Sequence, residues 1–220
     1  MSKETRASAA QKRRTQARAR DNRVWFVIVG VGAVVVLGAV IAVALASTQP
    51  ALAEPAAEPV IVSGQPLPAY PDSGTDPALG MLLPTLQGTG LVGEPVTIGP
   101  DGRAKAIIIL AHWCPHCQAE VPRLVAWLAD NRLPEGVDVI GLSTAINEAR
   151  PNYPPSAWLE REGWELSTLN DDAGSSAYLA LGALNTPGWV FVGADGTVRL
   201  RTTGELDPAE FGAILEQLAP

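Results

Sequence analysis

Cys114 and Cys117 are the only cysteines in 220 residues, and two residues separate them. A pair at that spacing sits one helical turn apart, within reach of a reversible disulfide. The surrounding stretch is Ala111-His112-Trp113-Cys114-Pro115-His116-Cys117. Pro115 suits the first position of a helix, where its missing N–H costs nothing. Cys114 then lies at the helix N-terminus, where free N–H groups and the positive dipole end favour a thiolate. Cys114 is therefore the expected nucleophile, exposed to its substrate, and Cys117 the more buried resolving thiol. A purely structural bridge is a poor alternative, because closing so short a loop adds little chain-entropy stabilisation. His116, between the two, is expected to stabilise the Cys114 thiolate by charge and hydrogen bonding. Favouring the reduced form in this way makes a disulfide more oxidising. Glu120, one turn beyond Cys117 on the same helix face, reads as a solvated helix acid or, if it stands near the thiols, as a group that raises their pKa and opposes His116. His112 reads as substrate-facing or as polar surface.

The elements that must position this pair are legible on either side. Ala106-Ile107-Ile108-Ile109-Leu110 is a short apolar run with the character of a buried strand over 105–111. A helix is expected over 115–130, with Val121, Leu124, Val125 and Leu128 as its buried stripe and Pro122 as a kink. Val96-Thr97-Ile98 precedes the turn Gly99-Pro100-Asp101-Gly102 as a short strand, and 137–143 is the strand after the helix. Residues 144–154 read as a loop, 156–162 as a short helix ended by Gly163, 164–169 as a third strand, and 174–182 as another short helix. Trp189–Val192 and Val198–Arg201, joined by Ala194-Asp195-Gly196-Thr197, form a hairpin signal. Asp207 caps a last helix, with Pro208 at its first position and Glu210 three residues after the cap. The order βαβαβαββα puts the reactive turn at the carboxyl end of a central strand, where open α/β sheets carry their sites.

Composition divides the chain into four parts. The net charge is −7, yet residues 1–23 hold eight Lys/Arg against two acids, which leaves −13 on the remainder. An acidic main body argues against nucleic acid as its partner. Residues 24–46 carry no charge. As a helix they would reach about 34 Å at about 1.5 Å per residue, enough to span a bilayer. The basic head before them places 1–23 in the cytoplasm and the rest outside, as a single-pass membrane protein with an extracytoplasmic catalytic domain. The competing expectation is a signal peptide cleaved after Ala46 or Ala53. Residues 47–75, with six prolines, read as a disordered linker. Residues 76–220 are left as one folded domain.

Three separated features together resemble the thioredoxin superfamily over 80–218. They are Trp113-Cys114-Pro115-His116-Cys117 at a strand–helix junction, Pro122 five residues after the second cysteine, and Thr186-Pro187 just before a hairpin and last helix. Within it the frame is most similar to the membrane-anchored TlpA/ResA branch of thiol-disulfide oxidoreductases, whose Glu-x-Pro is matched by Glu120-Val121-Pro122. Leu83-Pro84-Thr85-Leu86 stands where that branch has its N-terminal extension. The dipeptide Pro115-His116 instead resembles the DsbA-type oxidases. Only 69 residues separate Cys117 from Pro187, too few for the large helical insertion of those proteins.

The resemblance implies an α/β fold, a thioredoxin-like three-layer sandwich with a central mixed sheet, preceded by one transmembrane helix and a Pro-rich linker. It implies a redox-active Cys114–Cys117 disulfide, a cis peptide at Pro187, and Glu120 near the thiols as a tuner or proton relay. Trp113 is expected beside the disulfide, a pure core role being equally consistent, and the Thr186 backbone is expected to pair with an extended substrate in β fashion. The chemistry needs no bound cofactor. The implied partners are exported protein thiols or disulfides, cytochrome c apoproteins among them, and a membrane redox partner for recycling. Oxidase and reductase directions both stay open. The alternative from another class is a copper chaperone holding Cu(I) through the same pair and a nearby histidine. A peroxidase of the same superfamily would need a threonine where Ala111 stands.

Overall fold

The computed structural model of the chain describes residues 58–219. The basic head, the uncharged stretch over 24–46 and the start of the expected linker lie outside the described residues. Among the described residues no helix is long and apolar enough to cross a membrane.

The fold is built on β4 (Ala104–Leu110), all of whose residues are buried. It pairs in parallel with β5 (Val137–Ser143), Ile107 opposite Ile140, and antiparallel with β7 (Gly188–Val192), Ile107 opposite Val190. With β6 (Thr168–Asn170) and β8 (Val198–Thr203) these make a five-stranded mixed sheet of order β6-β5-β4-β7-β8. A strand covered on both faces needs apolar residues at every position, and that is why Ala106–Leu110 is an unbroken apolar run. Successive side chains alternate between the faces. Ala106, Ile108 and Leu110 join Cys117, Val121, Leu124, Trp158, Phe211 and Leu215 in one core. Ile107 and Ile109 join Leu86, Ile98, Leu142, Leu181 and Val190 in the other.

The first core is covered by α1 (Pro115–Asp130), α2 (Pro155–Arg161) and α4 (Pro208–Leu218). The second is covered by α3 (Ser176–Ala180) and a three-stranded antiparallel sheet of β1 (Ile61–Ser63), β2 (Thr85–Thr89) and β3 (Pro95–Ile98). In α1 the stripe is narrower than expected: Val121 and Leu124 are buried, while Val125 and Leu128 pack at the rim of the core. Pro122 lies inside this helix. The cap on α4 is as expected, with Asp207 Oδ1 accepting from the N–H groups of Ala209 and Glu210 at 2.8 and 3.3 Å.

Two expectations are corrected. The third strand is only Thr168–Asn170, because Trp164 is used to close α2. Its N–H donates to Leu159 O and that of Gly163 (φ +75°) to Glu160 O, the paired bonds of a glycine-terminated helix. The linker does not extend to residue 75. Val60 and Leu67 are buried, β1 pairs with β2, and the N–H groups of Leu67 and Tyr70 donate to Ala180 O and Gly182 O, both at 2.8 Å. Asp76 then grips the buried Arg201 guanidinium through two bonds, and that guanidinium stands 5.5 Å over the Tyr70 ring. The folded unit therefore includes residues 58–75.

Candidate active site

The turn after β4 brings Cys114 to the N-cap of α1 (φ −75°, ψ 121°), with Pro115 at the first helical position. Cys114 N–H donates to Ala111 O at 2.9 Å and Gln118 N–H to Cys114 O at 3.0 Å, closing the turn into the helix. Cys114 is not exposed as expected: 7% of its surface is accessible. The loop before β7 covers it. The Thr186–Pro187 peptide is cis, and Cys114 Sγ donates to Thr186 O at 3.3 Å. Pro187 is buried and Thr186 half-buried.

The two thiols, both free, differ in kind. Burial works against the Cys114 thiolate, but the main-chain N–H of Cys117, the Thr186 side chain, the Cys117 thiol and the His116 N–H outweigh it and lower its pKa. Cys117 is fully buried, and burial pushes its thiol far up, with a further push from neighbouring Cys114. The Ala111 N–H, 3.5 Å from Cys117 Sγ, offsets only part of that. The surroundings thus favour the thiolate at Cys114 and the protonated thiol at Cys117.

His112 corrects its sequence reading, since it is fully buried. Nδ1 lies 2.7 Å from Pro151 O, and the Asn147 N–H donates to Nε2 at 3.2 Å. A carbonyl can only accept and a main-chain N–H can only donate, so the ring is the neutral Nδ1–H tautomer. Burial holds its pKa below the usual value. The residue pins the reactive turn to the loop over 144–154. Trp113 does the same beside it, with Nε1 donating to Ala145 O at 2.8 Å and the Arg150 guanidinium 4.6 Å over its ring. It packs at the rim of the core that contains both cysteines.

His116 also departs from expectation. Its side chain is 71% exposed, and Nδ1 lies 2.7 Å from Glu205 Oε1. It reaches the Cys114 sulfur through its main-chain N–H. Glu120 is neither solvated nor aimed at the thiols. It is buried, with Oε2 taking Arg123 at 2.5 Å and Oε1 taking the Leu206 N–H at 3.2 Å. Burial raises its pKa, and the nearby Glu205 charge adds to that. Arg123 also donates to Glu205 Oε2 at 2.7 Å, so a chain of contacts runs Glu120–Arg123–Glu205–His116. Glu205, by contrast, is held below the usual carboxylate range, chiefly by its bond to His116.

Arg123, Glu205 and the 144–154 loop are the site residues that the sequence reading missed. Arg123 carried a signal, being three residues after Glu120 on a helix. Glu205 carried none. Among the described residues no group of three or more His, Cys, Asp or Glu side chains is arranged to hold a metal ion. Both histidines near the cysteines are engaged by the partners just named.

No family model and no curated protein sequence matches the chain. Solved structures do. The thioredoxin domain of a thiol-disulfide oxidoreductase from Bacteroides vulgatus is 17% identical, with a TM-score of 0.52 over 65% of this chain and 99% of that one. A secreted disulfide oxidoreductase of Mycobacterium tuberculosis, homologous to DsbE of E. coli, is 23% identical, with a TM-score of 0.50 over 60% and 95%. A thiol:disulfide interchange protein of the thioredoxin family from Chlorobium tepidum is 20% identical, with a TM-score of 0.50 over 71% and 98%. The fold is thioredoxin-like, and Cys114 and Cys117 fit its C-x-x-C motif.

Proposed function

We propose that the chain is a thiol:disulfide oxidoreductase that exchanges disulfides with protein thiols through Cys114 and Cys117. The observation that carries this is the asymmetry of the pair: a lowered thiol at a helix N-terminus, against a fully buried thiol that stays protonated. In the reducing direction the Cys114 thiolate attacks a substrate disulfide. A mixed disulfide forms and one substrate sulfur leaves as a thiolate, which takes up a proton. Cys114 then no longer carries the charge that helped hold Cys117 protonated. Cys117 attacks Cys114 Sγ as its proton passes to solvent, and the second substrate sulfur leaves as a thiolate that takes a proton from solvent in turn. The products are a reduced substrate and the Cys114–Cys117 disulfide. The oxidising direction is the same sequence reversed. Thr186, at the edge beside Cys114, offers its main chain to an extended substrate segment.

The uncharged stretch over 24–46 and the basic residues before it support an anchored protein with its catalytic domain outside the cytoplasm. Its substrates are then exported proteins, and a membrane redox partner recycles the pair. Equilibrating the full chain in glutathione buffers and trapping free thiols tests the reading. One Cys114–Cys117 disulfide should form and break reversibly, and Cys117→Ser should accumulate a mixed disulfide at Cys114. Absence of a reversible disulfide at every buffer ratio would overturn it. A potential near or above about −150 mV marks a donor of disulfides, and one near or below about −270 mV a reductase. Proteolysis of intact cells from outside should remove residues 58–220, and protection of the domain would contradict the topology.

A further inference from the structure

Glu205 lies in the turn between β8 and α4, and main-chain bonds fix its neighbours to two elements of the site. The Gly204 N–H donates to Pro187 O at 2.8 Å, and the Leu206 N–H donates to Glu120 Oε1 at 3.2 Å. One anchor is the cis-proline loop that covers Cys114, and the other is a buried carboxylate on the helix that begins at Cys114. Between them the Glu205 carboxylate takes His116 Nδ1 on one oxygen and Arg123 on the other, both at 2.7 Å. Arg123 is itself bonded to Glu120, so the carboxylate that meets His116 cannot swing freely. The imidazole is 71% exposed, and no other side chain among the described residues hydrogen-bonds it. An exposed side chain otherwise samples several rotamers, and the Glu205 contact selects one of them.

We propose that Glu205 is a positioning residue that holds the His116 imidazole away from the Cys114 sulfur. It thereby makes the disulfide less oxidising than the sequence Cys-Pro-His-Cys would otherwise be. This deepens the disulfide-exchange reading and rests on it. A freed imidazole lies two residues from Cys114 and can turn an N–H onto the thiolate. That favours the dithiol over the disulfide and so makes the disulfide a stronger oxidant. With Glu205 in place, His116 acts on Cys114 through its main chain alone.

The test is the thiol–disulfide equilibrium of the full chain against glutathione, measured for wild type and variants. His116→Ala should change the equilibrium constant less than twofold. Glu205→Ala should make the disulfide about tenfold more oxidising, about 30 mV for a two-electron couple. Glu205→Gln keeps an acceptor for the ring and should stay within about threefold of wild type. In the double variant His116→Ala/Glu205→Ala the tenfold shift should vanish. A shift that survives in the double variant, or that Glu205→Gln shows in full, is a direct effect of the lost charge and overturns the proposal. So does an unchanged equilibrium in Glu205→Ala, or a large shift in His116→Ala alone. A chain that forms no Cys114–Cys117 disulfide in any variant removes the underlying reading, an outcome distinct from a reversible disulfide whose potential ignores Glu205.

Discussion

Two histidines stand two residues either side of Cys114, and the fold treats them in opposite ways. His112 is buried, neutral and bonded at both ring nitrogens to main chain of the 144–154 loop. His116 is largely exposed and bonded to a carboxylate. The first flank is held by uncharged hydrogen bonds and by Trp113 stacked under Arg150. The second is a run of charges ending in buried Glu120. The difference teaches that proximity to a reactive sulfur does not assign a role. Removal from water and the partners on the far side do. One flank ties the reactive turn to the 144–154 loop, and the other ties the His116 ring to the turn before α4.

The largest break removes what both flanks serve. Cys114→Ser should abolish disulfide exchange with a reduced or scrambled protein substrate while leaving thermal unfolding nearly unchanged. Next in size is the buried flank. His112→Ala strands the Pro151 carbonyl and the Asn147 N–H and opens a cavity, at about 2–4 kcal/mol in urea unfolding. His116→Ala, on the exposed flank, should cost less than about 0.5 kcal/mol in the same experiment. Equal losses from the two would erase the distinction.

The flanks should also differ in acid. The His112 pKa is depressed in the folded state, by burial first. Its contribution is complete above the unfolded value of about 6.5 and is lost as pH falls from there toward the folded value, because the unfolded chain takes up the proton first. Wild type should therefore lose stability relative to His112→Gln as pH drops from about 7 to 5. A constant difference over that range would contradict it. The smallest effect is expected at the Trp113 platform. Arg150→Ala should cost about 0.5–1 kcal/mol, the worth of an exposed cation–π contact, and should raise hydrogen exchange in the 144–154 loop.

Much of the frame is written locally. β4 is apolar throughout because both its faces are covered, Asp207-Pro208 carries its own cap, and Asp195-Gly196 its own hairpin turn. The pair Cys114/Cys117 is readable because Pro115 and the preceding strand fix where the helix begins. What was not legible depends on partners far along the chain. Residues 58–75 have a linker's composition, and what holds them is the pairing of β1 with β2 together with Asp172, Ala180, Gly182 and Arg201, more than 90 positions away. Cys114 loses its exposure to Thr186, 72 positions on. His116 is claimed by Glu205, 89 positions on, whose own neighbours carry no sequence mark of the site. His112 looked polar and available because nothing local shows that the main chain at 147 and 151 will satisfy both ring nitrogens.

The most direct test is the pH dependence of alkylation of the reduced chain, followed separately at each cysteine by mass spectrometry. Cys114 should react first, with an apparent pKa below that of an ordinary thiol, while Cys117 stays unmodified through alkaline pH until the fold opens. Alkylation of Cys117 ahead of Cys114, or of both with the profile of a free thiol, would contradict the division of labour on which the proposed chemistry depends.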